Sequence, residues 1–142
     1  MSRLAAVVLL AIALIGATAR VTPGQATHPI SGRPIANVMG YEAAAWLERP
    51  EREAEEAPIK AVAALRLRPG HVVADIGAGS GYYTMLLGAT VGPCGRVYAT
   101  DIQPEMLTLI QKKIQARRVA DVEFVLGTPT GTRLPDSSVD SR

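Results

Sequence analysis

The pattern of apolar and polar positions from residue 69 onward predicts strands that alternate with helices. Three short apolar runs rich in β-branched residues have the composition of buried strands. They cover residues 72–76, 96–100 and 122–126. Helices are expected from residue 82 and from residue 103, the second with Met106, Leu107 and Ile110 on its apolar face. Strands separated by helices imply right-handed crossovers, so the pattern predicts an α/β fold with a parallel sheet and flanking helices.

The first residues follow a different pattern. Arg3 precedes an unbroken apolar run over residues 4–15, and Gly-Ala-Thr-Ala follows at residues 16–19. A positive start, a short apolar run and a small-x-small sequence are typical of a secretory signal, so residues 1–19 are interpreted as a signal peptide. An export signal predicts the secretory pathway or the cell envelope. Two alternatives stay open: an uncleaved segment that anchors the chain to a membrane, and a misplaced start codon that would leave the protein in the cytoplasm.

The next part of the chain joins this segment to the α/β pattern. Residues 20–40 are rich in Pro, Gly, Thr and Ser without periodicity, which favours an extended lead-in. Helices are predicted from Tyr41 and over residues 51–65, with Pro58 marking a place where the second helix can break. The charged first half of this second helix is interpreted as a solvated face with no binding role.

Composition and charge exclude several classes of function. The chain has 142 residues, 48% of them apolar, which is ordinary for one globular domain. Its 15 basic and 13 acidic residues leave a net charge of +2, too small to indicate nucleic acid or an anionic membrane as a partner. The single cysteine, Cys94, excludes an internal disulfide framework and a Cys-rich zinc site. We expect no metal.

A glycine-rich loop at residues 77–81 follows the first predicted strand directly. Glycines let a chain turn sharply from a strand into a helix and let its backbone approach a ligand closely. Asp101 closes the second predicted strand, twenty residues after Gly81. A carboxylate at that position can accept hydrogen bonds from both hydroxyls of a ribose, so the combination predicts a nucleoside-binding unit.

The spacing of the glycines separates two kinds of nucleoside site. Dinucleotide enzymes use Gly-x-Gly-x-x-Gly, whereas this loop reads Gly-x-Gly-x-Gly with Tyr82 where the third glycine would fall. Residues 73–81 and 97–102 together resemble the first two motifs of the class I S-adenosylmethionine-dependent methyltransferases. The resemblance covers roughly residues 59–140 and implies a Rossmann-like sheet, a methyltransferase activity and S-adenosyl-L-methionine as cofactor.

The resemblance also implies roles for the loop residues. Gly77, Ala78 and Gly79 would line the methionine part of the cofactor with backbone atoms, and Gly81 would allow close packing. Asp75 would orient the loop and reach the cofactor ammonium, directly or through water. A purely structural, loop-capping role for Asp75 is the alternative.

Asp101 and Ile102, at the end of the second predicted strand, would hold the nucleoside. By the same resemblance, Asp101 would bind the ribose hydroxyls and Ile102 would pack on the adenine. Asp101 could instead cap the helix that follows it. No residue is identified as catalytic, and the methyl acceptor, a small molecule or a protein, is left open.

The chain departs from the family after its third strand. Many members carry an acidic residue there, where this chain offers only the hydroxyl of Thr128. Residues 134–140 look like the approach to a fourth strand, but the sequence stops at Arg142, while family members continue with four more strands. We therefore expect an incomplete domain over residues 41–142, truncated after the third strand, with little or no turnover. The exposed edge of its first strand would favour self-association.

Three functions follow from these observations. The first is an S-adenosylmethionine-dependent methyltransferase, or the cofactor-binding half of one. The second is an NAD(P)-dependent oxidoreductase-type module, since both classes share the physics of the strand–helix–strand unit. The third is a non-catalytic binding module of the cell envelope, which the predicted export signal keeps open.

Overall fold

The computed structural model describes residues 27–117 and 121–140, so the predicted signal peptide lies outside the described residues. The chain divides into two compact units, Met1–Val38 and Met39–Arg142. In the described part of the first unit, Thr27 and Pro34 form an isolated antiparallel bridge. No helix within the described ranges is long and apolar enough to cross a membrane.

The second unit is a three-stranded parallel sheet with flanking helices. In chain order its elements are a 3₁₀ helix (Tyr41–Glu48), α1 (Arg52–Glu56), α2 (Pro58–Ala64), β1 (Val72–Ile76), α3 (Tyr82–Val91), β2 (Arg96–Asp101), α4 (Pro104–Arg117) and β3 (Asp121–Leu126). The sheet order is β1-β2-β3, and both pairs of neighbours are parallel. The predicted Rossmann-like α/β fold is confirmed.

The central strand organises the core. Every residue of β2 after Arg96 is buried. One apolar cluster joins α2 and α3 to the sheet through Val62, Leu87, Val91 and Val97. A second joins α4 to the sheet, with Ile110 fully buried. Burial is therefore greatest in β2, which has a strand on each side, whereas the positions of β3 are exposed or half-buried.

The helical segment before the sheet breaks at the place that Pro58 marked as a possible break. Residues 51–65 contain two helices, because Ala57 adopts a left-handed conformation (φ 45°, ψ 51°) between them. Pro58 explains the break, since its ring disfavours the right-handed helical region for the residue before it and suits the first position of a new helix. The segment before these helices is a 3₁₀ helix.

Asp140 borders the outer side of β1. Its backbone N–H donates to the carbonyl of Val72 over 2.9 Å, and its Oδ2 accepts the Val72 N–H over 2.8 Å. These two bonds satisfy the first residue of the strand and bring the end of the described chain alongside the sheet.

Candidate cofactor-binding site

The glycine-rich loop is pinned to the end of the central strand. The N–H groups of Gly77 and Ala78 both donate to the carbonyl of Thr100, over 2.9 and 2.8 Å. Gly77, Gly79 and Gly81 have φ values of 73°, 54° and 82°. Such angles favour glycine, so the sequence itself dictates the path by which β1 turns into α3.

The three glycines meet different surroundings. A Cβ on Gly77 would contact nothing within 4 Å, so this part of the loop presents bare backbone to open space. A Cβ on Gly79 would lie 2.9 Å from Cδ1 of Leu47, which covers the loop from the 3₁₀ helix. A Cβ on Gly81 would lie 2.8 Å from Cγ1 of Ile110. Gly77 therefore lies at the face open to a ligand, whereas Gly81 permits close packing of α3 on α4.

Asp75 lies near the end of β1, beneath the loop. Its Oδ2 accepts a hydrogen bond of 2.6 Å from the hydroxyl of Thr84, which is fully buried in α3. Burial raises the pKa of Asp75, and the negative charge of Asp101 adds to this; hydrogen bonds from Thr84 oppose it. A cation placed beside this carboxylate would relieve the cost of its buried charge. Among the described residues, Asp75 thus bonds to α3 rather than to the loop backbone. Its carboxylate would suit an ammonium group.

Asp101 holds two backbone segments together. Its Oδ2 accepts the N–H of Gly79 and its Oδ1 accepts the N–H of Gln103, each over 2.9 Å. The second bond lies just before α4, so Asp101 does stabilise the start of that helix. A carboxylate has roughly four lone-pair sites, so two remain for the hydroxyls of a ligand.

Apolar side chains border the same edge of the sheet. Ile102 is 37% exposed and Ile76, the last residue of β1, is 65% exposed. After β3, the Thr128 hydroxyl donates to the Gly131 carbonyl over 3.2 Å. Exposed apolar surface next to Asp101 suits the flat face of a base.

Sequence reasoning missed a polar cluster that fixes the loop to the 3₁₀ helix. Lys113 Nζ donates to the carbonyl of Ser80 over 2.7 Å and pairs with Glu48 Oε1 over 2.6 Å. Glu48 also accepts the hydroxyl of Ser80. Although burial opposes it, these bonds from Lys113 and Ser80 hold the pKa of Glu48 below its usual value. The residues are far apart in the sequence, so no local pattern could have identified the cluster.

The charged first half of the helix predicted over residues 51–65 is not a wholly solvated face, because Arg52 packs against the protein. Its side chain is only 12% exposed, and its guanidinium carbon lies 4.4 Å from the centre of the Tyr82 ring. Tyr82 is the first residue after the loop. In the described ranges no group of three or more His, Cys, Asp or Glu side chains is arranged to hold a metal ion.

A glycine loop and two carboxylates at the carboxyl ends of adjacent parallel strands define a nucleoside-binding domain. Comparison with known proteins makes the class more specific. A family profile described as a methyltransferase domain matches residues 73–141. The crystal structure of an S-adenosylmethionine-dependent methyltransferase from Aquifex aeolicus matches with a TM-score of 0.67 and 31% identity, over 72% of this chain and 55% of that one.

Two curated relatives each match part of the chain. The protein-L-isoaspartate O-methyltransferase of Methanothrix thermoacetophila is 33% identical over 66 residues, 46% of this chain and 31% of that protein. The arsenite methyltransferase of Halobacterium salinarum is 36% identical over 81 residues, 57% of this chain and 20% of that protein. The chain thus spans less than a third of either relative.

These matches confirm the resemblance to the class I S-adenosylmethionine-dependent methyltransferases that the two sequence motifs carry. S-adenosyl-L-methionine is the cofactor that this family indicates. The residues present fit that group. Bare backbone at Gly77 leaves room for it, the half-buried Asp75 carboxylate suits a cation, and two lone pairs of Asp101 remain without a partner among the described residues.

Proposed function

We propose that this chain binds S-adenosyl-L-methionine at the carboxyl edge of β1 and β2, as the cofactor-binding part of a methyltransferase. The observation that carries the proposal is the convergence of Asp75, Asp101 and the glycine loop at one edge of the sheet. The two curated relatives are named for different methyl acceptors, a protein and arsenite. A domain type that occurs in proteins with different acceptors is expected to serve what they have in common, which is the cofactor.

Each part of the site would hold one part of the ligand. Asp75 would take the ammonium group, and backbone atoms of Gly77, Ala78 and Gly79 would line the methionine chain. Asp101 would accept the ribose hydroxyls, and Ile102 would cover the adenine. The contribution of these residues to methyl transfer is positioning, since they fix the donor relative to an acceptor.

The bound cofactor supplies an electrophilic methyl group, which an oxygen, nitrogen, sulfur or carbon atom of the acceptor can take. The acceptor is proposed to be a small molecule or a protein side chain.

Calorimetric titration of the full chain with S-adenosylhomocysteine and with NAD tests the cofactor. We expect a saturable heat with the first ligand and none with the second, and the reverse would favour an oxidoreductase-type module.

Asp101→Asn should weaken binding of S-adenosylhomocysteine about tenfold or more, the usual effect of losing a charged hydrogen-bond partner. Asp121→Asn is the matched control. Asp121 is exposed and begins β3, so it lies at the edge of the sheet opposite to the one that carries Asp101. Equal affinity in both variants would contradict the role of Asp101.

A further inference from the structure

Arg52 is held in a fixed orientation beside the glycine loop. Its Nη1 donates to the carbonyl of Leu47 and its Nε donates to Glu56 Oε2, each over 2.7 Å. Its guanidinium carbon lies 4.4 Å from the ring centre of Tyr82 and 5.3 Å from that of Tyr83. These contacts fix the group on both the α1 and the α3 side.

The remaining hydrogen-bonding capacity of this side chain is substantial. Among the described residues, Nη2 of Arg52 has no hydrogen-bond partner, so the end of the guanidinium can still donate. A guanidinium held by other bonds loses little side-chain entropy when it binds a carboxylate, and its planar donors match both carboxylate oxygens.

Arg52 also acts on the proposed ammonium site. Burial chiefly sets the raised pKa of Asp75, and the positive charge of Arg52 works against that rise, so the two groups are within electrostatic reach of each other. The α-carbon of a methionine carries an ammonium group and a carboxylate side by side. The half-buried Asp75 carboxylate, with the fixed cation of Arg52 in its neighbourhood, is complementary to that pair of charges.

We propose that Arg52 binds the α-carboxylate of the cofactor, so that Asp75 and Arg52 together recognise the zwitterionic end of its methionine. This inference rests on the proposed function and assigns a further residue to the same site. It gives the segment before the sheet a direct part in binding, where the sequence suggested only a solvated helix.

The test compares two ligands in the full-length wild-type chain. One is S-adenosylhomocysteine, and the other is its decarboxylated analogue, whose thioether chain ends in a simple amine. We expect wild type to bind the first about 10- to 100-fold more tightly, the range for a hydrogen bond to a charged group. Arg52→Met should reduce this ratio toward one by weakening binding of S-adenosylhomocysteine alone. Arg52→Lys should retain part of the ratio, because it keeps the charge but loses the planar donors.

Arg49→Met is the matched control, since Arg49 lies on the same segment, stacks on Trp46 and pairs with Glu55. It should leave the ratio unchanged. A wild-type ratio near one, or an Arg52→Met variant that weakens both ligands equally, would overturn the inference and leave the proposed function standing. Binding of neither ligand by wild type would instead overturn the proposed function, and the inference with it.

Discussion

Replacing Gly81 by alanine should destabilise the domain strongly. Gly81 has a φ of 82°, and a left-handed conformation costs an L-residue about 1–2 kcal/mol. The added Cβ would lie 2.8 Å from Cγ1 and 3.0 Å from Cγ2 of Ile110, which is fully buried and cannot move aside into solvent. Overpacking of this kind costs a further ~1–3 kcal/mol. The expected loss is therefore about 2–5 kcal/mol, a large part of the ~5–15 kcal/mol that stabilises a typical domain.

Urea unfolding, with circular dichroism as the readout, measures this loss. Gly70→Ala separates strain from packing, because Gly70 also has a positive φ, 90°, but its added Cβ would contact nothing within 4 Å. The Gly81→Ala variant should lose at least ~1 kcal/mol more than this control. Combining Gly81→Ala with Ile110→Ala should cost less than the two changes separately, with a coupling of about 1–3 kcal/mol. If Gly81→Ala matched Gly70→Ala, or if the double variant were additive, the packing argument would be refuted.

Other changes test the polar groups. Asp75→Asn removes a half-buried carboxylate whose pKa is raised by desolvation. Wild type should therefore lose stability relative to the variant as pH increases above ~4, the ordinary aspartate range. Urea unfolding at several pH values measures the difference in unfolding free energy, and a difference that is constant with pH would contradict the prediction. Thr84→Val should lower the free energy of unfolding by ~1–3 kcal/mol, because the Asp75 carboxylate loses its donor; an unchanged urea midpoint would speak against that bond. Glu48→Gln should lower the free energy of unfolding by less than ~1 kcal/mol, because its ion pair with Lys113 is partly exposed. Added salt should reduce this loss. A larger loss that does not depend on salt would contradict the screening of this pair by solvent.

The sheet was predictable because its signals are local. Residues 72–76 form β1 with the predicted bounds, and β2 and β3 differ from prediction by one residue at one end. Apolar runs bounded by glycine or aspartate indicate where each strand begins and ends, and these signals lie within a few positions of the strand. The bond from Thr84 to Asp75 went unrecognised, although a hydroxyl in the first turn of the helix after the loop was a signal that could have indicated it.

The segment before the sheet was less predictable because its structure depends on distant partners. The 3₁₀ helix lies on the loop through Glu48 and Leu47, and their partners Lys113 and Gly79 lie more than thirty residues away. A charged sequence such as the one around Arg52 can form a helix face that is exposed to solvent or one that packs against the domain. Only the tertiary structure decides between the two. Tertiary contacts overrule local propensity at such positions.

The two carboxylates of the site are stabilised unequally. Asp101 accepts two backbone N–H groups that are fixed by the loop and by the start of α4. Among the described residues, only Thr84 donates hydrogen bonds to Asp75, and burial is the largest cause of its raised pKa. The folded protein therefore carries a cost at Asp75 that Thr84 and Arg52 offset only in part. A cationic ligand at this site would reduce the cost further. Removing this cost by substitution is expected to stabilise the empty domain and to weaken its hold on the cofactor.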